Sequence, residues 1–69
     1  MSGPSKRSLT IAGHRTSLSL EPEFWAALKL IAKRRGLTLA GLIAEIDAAR
    51  GSSNLSSAAR VYALKHITA

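Results

Sequence analysis

Sixty-nine residues, 46% of them apolar and none of them cysteine, exclude a multidomain enzyme, a disulfide scaffold and a membrane-spanning protein, and predict one small domain. Ten Lys and Arg against four Asp and Glu give a net charge of +6, a balance that suits either a polyanion-binding face or a solvated basic surface. A core of this size rarely supplies more than about 3 to 5 kcal/mol, so oligomerisation is the expected source of further buried area and a dimer the expected state.

Residues 1–7 carry Lys6 and Arg7 but little apolar content, and a Gly-Pro step interrupts them, so a mobile basic arm is predicted. In residues 8–14, Leu9 and Ile11 alternate with Ser8 and Thr10, and Gly13 signals a turn: an extra strand followed by a reversal. A second alternating run follows from Arg15 to Leu20. It places Thr16, Leu18 and Leu20 on one face and Arg15, Ser17 and Ser19 on the other.

Glu21-Pro22-Glu23 opens a helix, because proline at the first helical position loses no needed donor and acids favour the positive end of the helix dipole. Phe24, Leu28, Ile31 and Ala32 form its core stripe, and the helix is predicted to end at Arg35, with Gly36 in the left-handed position beyond it. Lys33, Arg34 and Arg35 complement the carbonyl end. Thr38 caps a second helix from Leu39 to about Ala49, in which Leu42, Ile43 and Ile46 share a side. After the break at residues 50–54, Leu55 to Ile67 is helical again. Trp25 and Leu30 fall outside the first stripe, and the third helix is expected to cover them with Leu55, Val61 and Tyr62. The resulting organisation is an arm (1–7), an extra strand and turn (8–14), a strand-helix-helix core (15–50), and a linker with a C-terminal helix (51–69).

Catalysis finds no support. The serines are not set in a nucleophile elbow, no phosphate-cradling glycine loop is present, and His14 and His66 do not make a metal-ligand set, so neither an enzyme nor a cofactor or metal is expected. The longest apolar stretch, Phe24 to Ala32, contains Lys29 and is far below the roughly 20 residues a bilayer span needs. No apolar block follows Lys6 and Arg7, so no signal peptide and a cytoplasmic location are expected.

A short amphipathic strand, a helix, a glycine corner and a second helix leave the strand's apolar face in need of a partner. In Arg15-Thr16-Ser17-Leu18-Ser19-Leu20, Phe24, Leu28, Ile31, Arg35-Gly36-Leu37-Thr38, Leu42, Ile43 and Ile46, the sequence resembles the ribbon-helix-helix family of small repressors, the MetJ, Arc and CopG type. The resemblance covers residues 15 to about 49. It implies a mostly α fold with a short β-ribbon, formed as an intertwined homodimer, here with an additional C-terminal helix. The dimer core would comprise Thr16, Leu18, Leu20, Phe24, Leu28, Ile31, Leu42, Ile43 and Ile46. In that family two chains pair their strands into an antiparallel ribbon that enters the DNA major groove.

The same resemblance implies sequence-selective binding of double-stranded DNA and transcription regulation. Arg15, Ser17 and Ser19 would contact bases, with Arg15 the strongest reader because its guanidinium can bond guanine O6 and N7 together. Thr38 with the amides of Leu39 and Ala40 would hold a phosphate at a helix start, and Lys6 and Arg7 would reach others. The alternative is a dimeric protein-interaction module, antitoxin-like or an adaptor. In it the extra strand covers the ribbon, widening the sheet beyond a groove about 12 Å wide, and the C-terminal helix binds a protein partner.

Overall fold

The computed structural model describes residues 3–68; Met1 and Ser2, the first positions of the stretch read as an arm, lie outside the described residues, as does Ala69. Chain order is β1 (Ser5–Ile11), β2 (His14–Leu20), α1 (Pro22–Arg34), α2 (Leu39–Ala49) and α3 (Leu55–His66). β1 begins at Ser5, inside the stretch expected to be an arm. Lys6 and Arg7 are part of its ladder because their long side chains tolerate a half-solvated strand as well as a free tail.

β1 and β2 form an antiparallel hairpin with Ile11 opposite His14, so Ala12-Gly13 is a two-residue loop. Both loop residues have positive φ, 50° at Ala12 and 81° at Gly13, the type I′ geometry that matches strand twist. Glycine adopts this backbone freely, whereas alanine is strained there by roughly 1 kcal/mol. Ala12→Asn is therefore expected to stabilise the domain by about 0.5 to 1 kcal/mol, read as a rise in the urea midpoint at unchanged slope.

Local chemistry ends and starts the helices as expected. Gly36, at φ 69°, follows α1; its amide donates to the Lys33 carbonyl at 3.2 Å and the Leu37 amide to the Ala32 carbonyl at 2.8 Å. These are the paired bonds of a Schellman ending. The Thr38 side chain accepts from the Gly41 amide at 3.0 Å to start α2, and Asn54 accepts from the Ser57 amide at 2.8 Å to start α3. At the start of α1 no side chain caps the helix; Pro22 takes the first turn, and the Glu21 carboxylate accepts from Arg60 of α3 at 3.0 Å. A backbone hydrogen bond first, and then Arg60, hold the Glu21 carboxyl below its ordinary pKa. The stabilisation from this depressed pKa is present at neutral pH and disappears as pH falls through it.

The core joins Ile11, Leu18 and Leu20 of the hairpin to Trp25, Leu28, Ile31 and Ala32 of α1, Leu42, Ile43 and Ile46 of α2, and Ala59 and Ala63 of α3. Leu18 and Leu20 are 2% and 0% exposed in the single chain. The expectation that the strand's apolar face needs a second copy is thereby corrected. β1 supplies the neighbouring strand, and the three helices supply the cover. Thr16 and Phe24 are half-buried at the margin of this core, with the Arg60 guanidinium 5.9 Å from the Phe24 ring centroid. The third helix also does less than expected. Trp25 is buried, but its indole N–H donates to the Ser5 carbonyl of β1 at 2.9 Å, and Leu30 and Val61 remain 43% and 47% exposed. Helical spacing identified Trp25 as off the two-helix stripe, yet an N-terminal strand reaches it before α3 does. No helix among the described residues is long and apolar enough to cross a membrane.

Candidate nucleic-acid interface

Strand alternation divides the hairpin into two faces. Cross-strand pairs Ser5 with Leu20, Arg7 with Leu18, Leu9 with Thr16 and Ile11 with His14 lie on the face that meets the helices. The intervening pairs, Lys6 with Ser19, Ser8 with Ser17 and Thr10 with Arg15, lie on the outer face. All six outer residues are polar, two of them are cations and none is acidic. All are exposed except Ser19, which is half-buried.

Arg15, Ser17 and Ser19, the candidate base readers, thus share one open face with Lys6, a candidate phosphate contact. Arg7 does not join them. Its guanidinium lies 5.1 Å from the Trp25 ring centroid on the opposite face, where it shields the indole from water. Arg7, the other candidate phosphate contact, is an exposed side chain on that face and stands apart from Lys6. Ser8 and Thr10 were missed as face residues. Their phase with Lys6 was present in the alternation, but reading Lys6 and Arg7 as an arm cut the strand short.

Thr38, Leu39 and Ala40 sit apart, at the corner between α1 and α2. Thr38 is exposed, and the first-turn amides of Leu39 and Ala40 are of the kind a helix start leaves without an internal partner. Among the described residues, no hydrogen bond or ion pair joins this corner to the hairpin's outer face. The basic cluster at the end of α1 serves the fold. Arg35 donates to the Tyr62 hydroxyl and to Glu45, both at 2.9 Å, and Arg34 donates to the Ile67 carbonyl at 3.2 Å, pinning α3 beside α1.

The ribbon-helix-helix domain family model matches residues 4–67, a span that runs from β1 through α3. The chain belongs to the ribbon-helix-helix family. Domains of this family are generally DNA-binding transcription regulators and generally homodimeric. No curated protein and no solved structure matches the chain. Within this ribbon-helix-helix domain the ribbon is distinctive in origin: β2 pairs with β1 of the same chain, so one protomer already owns a two-stranded antiparallel ribbon. β1 lies beside β2 and leaves its outer face open.

Proposed function

We propose that the chain is a cytoplasmic transcription regulator that binds duplex DNA with modest sequence preference, using the outer face of its own hairpin as the groove-entering ribbon. The observation that carries this reading is the acid-free face of Lys6, Ser8, Thr10, Arg15, Ser17 and Ser19 on a ribbon only two strands wide. Adjacent strands are about 4.8 Å apart, so one hairpin fits a major groove about 12 Å wide.

Arg15 would recognise guanine through a two-pronged hydrogen bond worth about 1 to 3 kcal/mol of discrimination, while Ser17 and Ser19 bond almost any base edge. Lys6 would meet the backbone, and Thr38 with the amides of Leu39 and Ala40 would hold a phosphate without reading sequence. In a homodimer, each copy would place one hairpin in a half-site, so the operator would share the two-fold symmetry of the protein.

A titration of random duplex DNA against salt tests the reading. Affinity that falls steeply between about 50 and 200 mM salt supports it, and absence of binding at low salt removes it. Arg15→Ala is expected to flatten preference among duplexes. Thr38→Val is expected to weaken all duplexes alike and to cost about 1 kcal/mol of stability through the lost cap, resolved by pairing binding with urea melts.

The open edge of β2 favours a second reading. In a hairpin closed by a two-residue loop, bonded and non-bonded pairs alternate from the turn, which directs the peptide groups of Arg15, Ser17 and Ser19 away from β1. Two copies joined along that edge would carry four strands spanning about 14 Å between the outermost axes, too broad for the groove. Such a dimer would be a protein-interaction module, antitoxin-like or an adaptor, with α3 available to a protein partner. Slow amide exchange at Arg15, Ser17 and Ser19 in the free protein would favour it; fast exchange at those three, with slow exchange at Leu18, would favour the groove-entering hairpin.

A further inference from the structure

α2 and α3 leave a cleft of about 310 Å³ between them, and no hairpin residue lines it. Its walls are mainly apolar, with Ile46 and Ala49 from α2 and Ala58 and Val61 from α3. Val61 is 47% exposed, so this apolar surface is open to solvent. Ala58, Val61, Tyr62 and Lys65 recur at the three- and four-residue intervals of one helix face, which sets Lys65 on the same stripe as the apolar wall. Arg50 and His66 also line the cleft, and among the described residues no Asp or Glu does.

The fold itself holds these walls. The Tyr62 hydroxyl accepts from Arg35 at 2.9 Å, its carbonyl accepts from His66 Nδ1 at 2.8 Å, and its ring stacks on the His66 ring at 4.0 Å between centroids. Arg50 is tied to Asp47 and to the Ser53 carbonyl, both at 2.6 Å. Lys65 differs from Arg50: among the described residues no ion pair or hydrogen bond engages its ammonium, which is exposed. An anion beside the last turn of a helix ordinarily meets free carbonyls. Here the Tyr62 carbonyl is occupied by His66 and the Ile67 carbonyl by Arg34.

We propose that this cleft is a binding site for a small free carboxylic acid, whose apolar body lies against Ile46, Ala49, Ala58 and Val61 and whose carboxylate meets Lys65. Apolar walls favour a body without polar groups, because an amide or hydroxyl set against them loses water without gaining a partner. An uncommitted ammonium with no acid beside it selects negative charge at the other end of the ligand. The volume stands at the lower limit of the roughly 300 to 1,000 Å³ of small-molecule sites, which suits one short chain or one ring. The site is separate from the outer ribbon face and from the helix start at Thr38, so it does not depend on the groove reading of the hairpin.

The test is a titration of the full chain with octanoate, followed through amide NMR signals. Saturable shifts concentrated at Ala49, Val61, Tyr62 and Lys65 are expected. Affinity is expected to rise about twofold to fourfold per CH₂ from butyrate to octanoate, the upper figure corresponding to full burial. 1-Octanol is expected to bind about threefold to fivefold more weakly than octanoate, and Lys65→Gln to remove that preference while leaving 1-octanol affinity unchanged. Ala49→Phe, which fills the cleft from its α2 side, is expected to abolish the saturable shifts with both ligands. Ala49 and Lys65 are exposed, so both variants are expected to fold, with wild-type amide dispersion as the check. Equal affinity for butyrate and octanoate, octanoate no tighter than 1-octanol, non-saturating shifts spread over Leu30 and other exposed apolar residues, or binding indifferent to both variants would each overturn the proposal.

Discussion

Trp25→Ala is expected to unfold most of the population at 25 °C. Trp25 is 2% exposed and is among the largest fully enclosed side chains of the core, and it bonds through its indole N–H to the Ser5 carbonyl. Truncating a buried aromatic of this kind costs about 3 to 5 kcal/mol, a range that matches the about 3 to 5 kcal/mol a core of this size supplies. The loss also removes the platform on which Arg7 rests and the hydrogen bond that fastens the first residue of β1. Trp25→Phe separates the contributions: most of the ring burial survives, and the missing hydrogen bond costs about 1 kcal/mol. Far-UV circular dichroism and urea melts provide the readout. A cooperatively folded Trp25→Ala protein with a wild-type midpoint would show that β1 and α1 do not share one core.

Reversing both cations of the outer ribbon face, in Lys6→Glu with Arg15→Glu, is expected to lower affinity for duplex DNA by more than about 100-fold at low salt. Each reversal removes a favourable contact and adds a repulsive one against a polyanion, and Arg15 also carries the most discriminating base contact. Both side chains are exposed, so the melt is expected to change by less than about 0.5 kcal/mol. Arg7→Ala is the matched contrast. Arg7 sits against Trp25, so its loss is expected to cost about 0.5 to 1 kcal/mol of stability while leaving DNA affinity nearly unchanged. Equal effects of the two changes on DNA affinity would mean that the phase of the hairpin does not decide which cations face the ligand.

Much of the fold is legible in the sequence, and the reasons are local. The ends of α1 and α2 follow from Pro22, Gly36 and Thr38, each of which acts on backbone groups within a turn of itself. The two faces of β2 follow from its alternation, which places Arg15, Ser17 and Ser19 opposite Leu18 and Leu20 however the strand is paired. The start of β1 was harder. Lys6 and Arg7 look like a solvated tail by composition, and only the contacts of Ser5 and Arg7 with Trp25, about twenty residues away, make them a strand.

Apart from the first residues of β1, which residues form strands and helices, where each helix begins and stops, and which side chains share a face are encoded within short windows of the chain. The identity of β2's neighbour is not, because a period of two names a buried side without naming what lies next to it. A second copy and β1 offer the same kind of ladder. The fold selects β1, which the Ala12-Gly13 loop holds at high effective concentration, whereas a second chain must first surrender its translational freedom. Packing then adds what no local pattern contains: β1 closes over Trp25, Arg7 lies against the indole ring, and the hairpin's polar side is left facing outward as a ribbon belonging to one chain.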